Sequence, residues 1–240
     1  MHLKSLLVTL AFVPLAVYGQ GAIDTNRPGF TSTTAVVKPG QWQLETGLDY
    51  THGNGSERSW SIPVAEIRVG VAAQTELFLN SITWGRQESD QGDNSGLKDM
   101  ALGVKYRMTG EDAGFSTALL GQLSVPVGDK AFSSDRWDPT LGFVWASNGL
   151  PISGTIKASK FKPGYQLDNG LKWVFSARDS TVAFLEWEAN LPEHGDDTHW
   201  LNIGWQLISG QNMQVDLNGG AGLNNATADY RIGAGFSYRF

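Results

Sequence analysis

From about residue 40 to its end, the chain repeats one pattern: stretches in which apolar and polar side chains alternate one by one. Tyr230, Ile232, Ala234, Phe236, Tyr238 and Phe240 fall on one face, and Arg231, Gly233, Gly235, Ser237 and Arg239 on the other. Trp42, Leu44, Thr46, Leu48 and Tyr50 alternate in the same way with Gln41, Gln43, Glu45, Gly47 and Asp49. Residues 99–108 set Met100, Leu102, Val104, Tyr106 and Met108 against Asp99, Ala101, Gly103, Lys105 and Arg107, and residues 213–218 repeat the scheme. A strand sends successive side chains to opposite faces, whereas a helix returns to one face every 3.6 residues. No run of helical period follows residue 20, so the pattern predicts an all-β fold.

Filling in between these anchors gives about twelve strands: 41–51, 59–71, 76–86, 98–108, 114–127, 138–147, 152–162, 167–177, 181–190, 198–208, 213–222 and 230–240. The stretches 76–86 and 152–162 alternate poorly. Short connections such as 72–75, 148–151 and 209–212 take turns with longer polar ones such as 87–97, 128–137 and 223–229. An even strand count with a short–long rhythm is what a transmembrane barrel shows. Alternation alone fits a second arrangement, a secreted sandwich or lipocalin-like barrel with its apolar face in a core.

Three features favour the membrane. Aromatics cluster near both ends of the apolar faces: Trp42, Trp173, Phe175, Tyr238 and Phe240 at one end, and Tyr50, Trp60, Trp187 and Tyr230 at the other. Such rings suit the two bilayer interfaces. The polar faces use Gly, Ser and Asn where a soluble surface would use Lys and Glu, and charged residues are only 18% of the chain. The strands are also about as long as the 9–11 residues a tilted strand needs to cross a bilayer. The expected fold is therefore an antiparallel transmembrane β-barrel closed by a C-terminal strand ending in Phe240.

The first residues read as an address. Lys4 precedes a mainly apolar stretch from Leu6 to Val17, too short for a helical span of about 20 residues, and small residues follow. Residues 1–19 are expected to be a signal peptide, with an uncleaved anchor as the alternative. Residues 20–39 form a periplasmic or lumen-entering segment, and 40–240 the barrel. The formal charge of −6 argues against a nucleic-acid partner. The absence of cysteine excludes disulfide scaffolds, thiolate metal sites and thiol nucleophiles.

One stretch carries a family resemblance. Asp24-Thr25-Asn26-Arg27-Pro28-Gly29-Phe30-Thr31, followed by Val37-Lys38-Pro39-Gly40-Gln41-Trp42-Gln43-Leu44-Glu45, resembles the opening of a bacterial outer-membrane family described as putative MetA-pathway of phenol degradation. The opening runs approximately T-D-R-P-x-F-T and then V-x-P-G-x-x-Q-x-E. This chain departs from it in carrying Asn26 before the arginine, with the acid shifted to Asp24. The ending Ser237-Tyr238-Arg239-Phe240 looks like the terminal-Phe strand of outer-membrane proteins. The resemblance implies a transporter-like barrel in a Gram-negative outer membrane, passing small molecules, aromatic or hydrophobic ones included.

With the polar faces turned inward, the lumen would receive Glu45, Asp49, Glu66, Glu76, Asp99, Glu186, Glu188 and Asp216 against Arg68, Lys105, Arg107, Lys157, Lys172, Arg231 and Arg239. Such near balance does not make an ion-selective ring. It suits a narrow pore with opposed charges or a lumen filled by ion pairs. Arg27 joins this set if its segment enters the lumen, where an acid such as Glu45 would pair with it. The other reading is a tail docked at the barrel base. Phe78 and Phe184 would point inward, either against ring-shaped solutes or as packing.

Catalytic signals are weak. Ser147-Asn148-Gly149 matches part of an outer-membrane phospholipase pattern, but Trp145 stands where that pattern needs a histidine. His52 near Ser56 reads as a loop residue, and His194, Asp196, Asp197 and His199 match no defined metal spacing. No cofactor, metal or catalytic residue is expected. The expected partners are outer-membrane lipid and lipopolysaccharide, the barrel-assembly machinery acting on the C-terminal strand, and a small-molecule solute. Two rival readings stay open: a lipid-modifying hydrolase of the outer membrane, and a plugged structural barrel.

Overall fold

The computed structural model describes residues 21–240 apart from 81–82, 111–112, 161–163 and 179, so the expected signal peptide lies outside the described residues. Among the described residues, fourteen strands are present. They are β1 (Trp42–His52), β2 (Arg58–Ala72), β3 (Thr75–Asn80), β4 (Trp84–Glu88), β5 (Asn94–Leu97), β6 (Met100–Arg107), β7 (Phe115–Val125) and β8 (Asp138–Ser147). The rest are β9 (Ile152–Lys160), β10 (Tyr165–Arg178), β11 (Thr181–Pro192), β12 (Thr198–Ser209), β13 (Met213–Gly222) and β14 (Tyr230–Arg239).

All of them belong to one antiparallel sheet that closes on itself. Neighbours in sequence are neighbours in space, and β14 returns to β1 with Gln43 opposite Arg239 and His52 opposite Tyr230. Two spans of the wall are interrupted. The second half of β2 pairs with β3 and its first half with β4, while β5 and β6 follow each other along the next span. Counting β3 with β4 and β5 with β6 gives twelve spans, as the alternation predicts. The single stretch expected over 76–86 is shared between β3, which ends at Asn80, and β4, which begins at Trp84. The stretch expected over 98–108 gains Asn94–Leu97. Pro63, which has no N–H for the ladder, falls where β2 slips register against β1 between Gly47 and Asp49.

Polarity across the wall is the reverse of a soluble protein. Leu141, Leu217, Leu102, Ile232 and Trp42 are more than half exposed on the outside, and Phe240 is 70% exposed. Arg68, Glu76, Lys105 and Glu186 are at most 1% exposed inside. Water would not tolerate that outer face, but hydrocarbon does, and closure leaves no strand edge unpaired in lipid. A sandwich would bury Ile232, Phe236 and Leu217 between two sheets; here all three face outward. The chain is a transmembrane barrel.

Aromatic clusters mark both rims of the outer face. Tyr238 meets Phe240 edge-on at 4.9 Å and Trp173 tilts against Phe175 at 5.9 Å at the end holding the C-terminus. Tyr50 contacts Trp60 at 4.3 Å and Tyr230 at 6.1 Å at the other end. His52 and His199 join this second belt, stacked on Tyr230 and Trp187.

Candidate functional site: an occupied lumen and an outer cavity

The residues preceding β1 do not hang below the barrel; they run up into it and come back. At the base, Arg239 donates to the Gly21 carbonyl. The segment then rises to Phe30 and Ser32 and returns to the base, where the Gly40 amide donates to the Gly70 carbonyl at 2.9 Å. A chain inside a barrel has no strand partner for its amides, so the wall must supply acceptors. Three buried carboxylates do so. Glu45 accepts from the amides of Asn26 (2.9 Å) and Arg27 (3.0 Å). Glu186 accepts from Phe30 (2.9 Å) and Thr31 (2.7 Å), and Glu76 from Val37 (2.7 Å). Thr155 Oγ1 takes the Ser32 amide at 3.0 Å.

Gly29 is required where the segment turns towards Glu186. Its φ is +98°, and a Cβ there would stand 2.6 Å from a Glu186 carboxylate oxygen. The carbonyl of Arg27 in turn accepts from Gln206 (2.8 Å) and Gln214 (3.2 Å), neutral groups that single out no charge.

Two of these carboxylates, Glu45 and Glu76, are held by buried cations. Arg68 binds Glu76 with Nε and Nη2, both at 2.9 Å, and Glu45 at 2.7 Å; Glu66 lies 4.0 Å from it. Lys105 reaches Glu76 at 3.0 Å and the Thr33 carbonyl at 3.2 Å. Lys172 donates to the Thr31 carbonyl at 2.9 Å. Asn26, where the family opening has an acid, bridges Glu66 (2.6 Å) and the Thr33 amide (3.2 Å) as donor and acceptor. An aspartate there could not donate to Glu66 and would add a third carboxylate beside two others.

Arg27 differs from expectation in its partner. Its amide, not its guanidinium, meets Glu45, which is already engaged by Arg68 and Gln43. The guanidinium lies over the facing pair Gly47 and Gly235 of β1 and β14, in space that any side chain there would fill. From that seat it reaches Asp216 at 3.5 Å, the Ala234 carbonyl at 3.3 Å and Asp49 at 3.9 Å.

The predicted charged set divides by height. Glu45, Arg68, Glu76, Lys105, Glu186 and Asp216 are fully buried in the middle, and Glu188 and Arg231 pair on the outer side. Asp49 and Glu66 reach the space above the segment. Three residues sit at the rims. Asp99 accepts from the Gly128 and Ser134 amides and so fastens the β7–β8 loop, Arg107 donates to the Ala73 carbonyl, and Arg239 ties down the segment's start. Phe184 is buried over Gly204 with Lys172 above its ring at 4.5 Å, which is packing. Phe78 packs over Gly103 but also lines open space.

That space is a cavity of about 580 Å³ on the outer side of the segment, floored by Asn26, Arg27, Phe30 and Ser32 and walled by residues such as Ser59, Val64, Asn80, Leu120 and Gln122. Lys98, absent from the predicted set, is part of its wall.

Ser147 Oγ accepts the Leu150 amide at 3.1 Å inside a turn, and Trp145 stacks on Phe115. Among the described residues, no three His, Asp or Glu side chains converge as a metal site would require.

A family model spans residues 25–240, nearly the whole of the barrel and its inserted segment. The chain belongs to the family described as putative MetA-pathway of phenol degradation. Its fold is shared with an outer membrane channel from Pseudomonas putida F1, at 13% identity and TM-score 0.66, covering 86% of this chain and 97% of that one. A KdgM porin solved with disordered oligogalacturonate matches at 15% identity and TM-score 0.52, covering 82% and 99%. The translocator domain of the autotransporter NalP from Neisseria meningitidis matches at 13% and 0.52, covering 83% and 88%. At these identities the likeness is one of fold. No curated protein matches the sequence. Within the MetA-pathway family, this member carries Asn26 at the foot of its cavity.

Proposed function

We propose that this member of the MetA-pathway family is a passive channel of the Gram-negative outer membrane, carrying small molecules, aromatic or hydrophobic ones included, along its lumen. The lumen-facing charged residues narrow and hold the path; none acts as a catalyst. The observation that carries this reading is a polar interior containing a cavity of about 580 Å³ inside a wall that is apolar outside. Holding a hydrated path across about 30 Å of hydrocarbon is itself the work, and no reaction is needed. The surrounding outer-membrane lipid and lipopolysaccharide, and an assembly machinery that recognises the strand ending at Phe240, complete the proposal.

A plugged structural barrel is the second reading, because residues 21–39 fill the lower lumen. Single-channel recording of the refolded protein in planar bilayers separates the two. The channel reading expects small, steady unitary currents from the intact chain and severalfold larger ones after deletion of residues 21–39. Silence from both proteins would overturn it in favour of the structural barrel.

A further inference from the structure

The outer cavity is lined by two ammonium groups that form no direct ion pair with a described carboxylate. The four acids lining it lie nearer to other cations: Asp49 to Arg27 at 3.9 Å, Glu45 and Glu66 to the one Arg68 at 2.7 Å and 4.0 Å, and Glu188 to Arg231. Lys98 and Lys157 line the same space, and no described carboxylate forms an ion pair with either. The Lys98 ammonium donates to Ser61 Oγ at 2.7 Å, and that of Lys157 stands 4.6 Å from the centre of the Phe30 ring. Elsewhere in the lumen, the buried cations Arg68 and Lys105 have carboxylates within 3.0 Å, whereas Lys172 donates to the Thr31 carbonyl. An ammonium partly withdrawn from water favours a counter-anion, and here the protein leaves that position open.

The rest of the wall states what kind of anion fits. Phe30 at the floor, 4.6 Å from the Lys157 ammonium, and Phe78 and Leu120 in the wall contribute the apolar part of the lining. A volume of about 580 Å³ admits a single ring with its substituents, within the 300–1,000 Å³ usual for small-ligand sites. We propose that the cavity binds a small monocyclic aromatic carboxylate, its carboxylate on Lys157 within the field of Lys98 and its ring against Phe30, Phe78 and Leu120. The proposal takes its transport meaning from the channel reading above, as the class of solute selected at the outer side, but binding itself does not require conduction.

The test is calorimetric titration of the refolded full chain in detergent with benzoate, benzyl alcohol and benzylamine. Benzoate should bind about tenfold or more tighter than benzyl alcohol, the scale of one charge-assisted hydrogen bond. A Lys98→Gln/Lys157→Gln double variant should lose that preference while keeping its affinity for benzyl alcohol. Its folding is checked by the heat-dependent gel mobility of a closed barrel. Equal binding of acid and alcohol, tighter binding of benzylamine, no binding of any probe, or a folded double variant that keeps the preference would each overturn the proposal. A benzoate preference in a protein that passes no current would remove the channel reading and leave this one standing. Current without the preference would do the opposite.

Discussion

Glu76 serves two cations and one amide at once: Arg68 at 2.9 Å, Lys105 at 3.0 Å and Val37 N at 2.7 Å, with its side chain at 0% exposure. Removing one member of a buried set leaves the others charged and unmatched. Glu76→Ala should therefore cost about 3–5 kcal/mol, read as a lowered midpoint of urea unfolding in lipid vesicles. A loss below about 1 kcal/mol would mean that water reaches Arg68 and Lys105. At this scale the alternation made the identities of the inner charges legible, because residues such as Arg68, Lys105, Glu186 and Asp216 sit between two apolar neighbours in sequence. It did not reveal their partners. Arg27 could be placed beside an acid, but its seat over Gly47 and Gly235 depends on β1 meeting β14, a contact between the two ends of the barrel. Lys98 was missed for a local reason. Lys98 and Ala101 both face inward although three residues apart, so the period slips between β5 and β6, and parity counted back from Leu102 points Lys98 the wrong way.

Strands succeed or fail here by which solvent each face meets. Ala234 of β14 stands between Leu48 and Leu217, both exposed on the outer surface. Ala234→Arg should cost about 2–4 kcal/mol near the bilayer midplane, whereas Thr51→Arg, into the cavity, should cost little. Equilibrium unfolding in vesicles of both variants checks this, and equal losses would contradict the assignment of faces. Strand positions were legible to within a few residues because lipid and lumen impose opposite demands on neighbouring side chains. The divided spans were not, because β2 changes partner at the bulge beside Pro63, and partner choice leaves no trace in the period of the partner strand. The path of residues 21–39 was equally hidden: the segment has no period, and what fixes it is a set of acceptors spread over β1, β3, β9 and β11.

For the whole molecule, the inserted segment fills the lower lumen, and on the channel reading it limits the current. The chain has no cysteine, so a single introduced pair can lock that segment without side reactions. Ser32 and Thr155 touch through a 3.0 Å hydrogen bond. With Ser32→Cys/Thr155→Cys, oxidation should hold unitary current at or below the intact level and suppress its fluctuations, and reductant should restore them in the same bilayer. Identical traces before and after reduction would show that the segment stays seated while current flows.

The same segment also bears on the order of assembly. Its residues are first in the barrel domain's sequence, yet Thr25 rests on Gln214, which is 189 positions later, and Phe30 and Thr31 rest on Glu186. Until β11 and β13 have joined the sheet, those berths do not exist, and the earliest-made stretch must wait for the latest-made walls. Docking of this stretch is therefore a finishing event, and protease resistance acquired near Arg27 would time the moment at which the cylinder is complete.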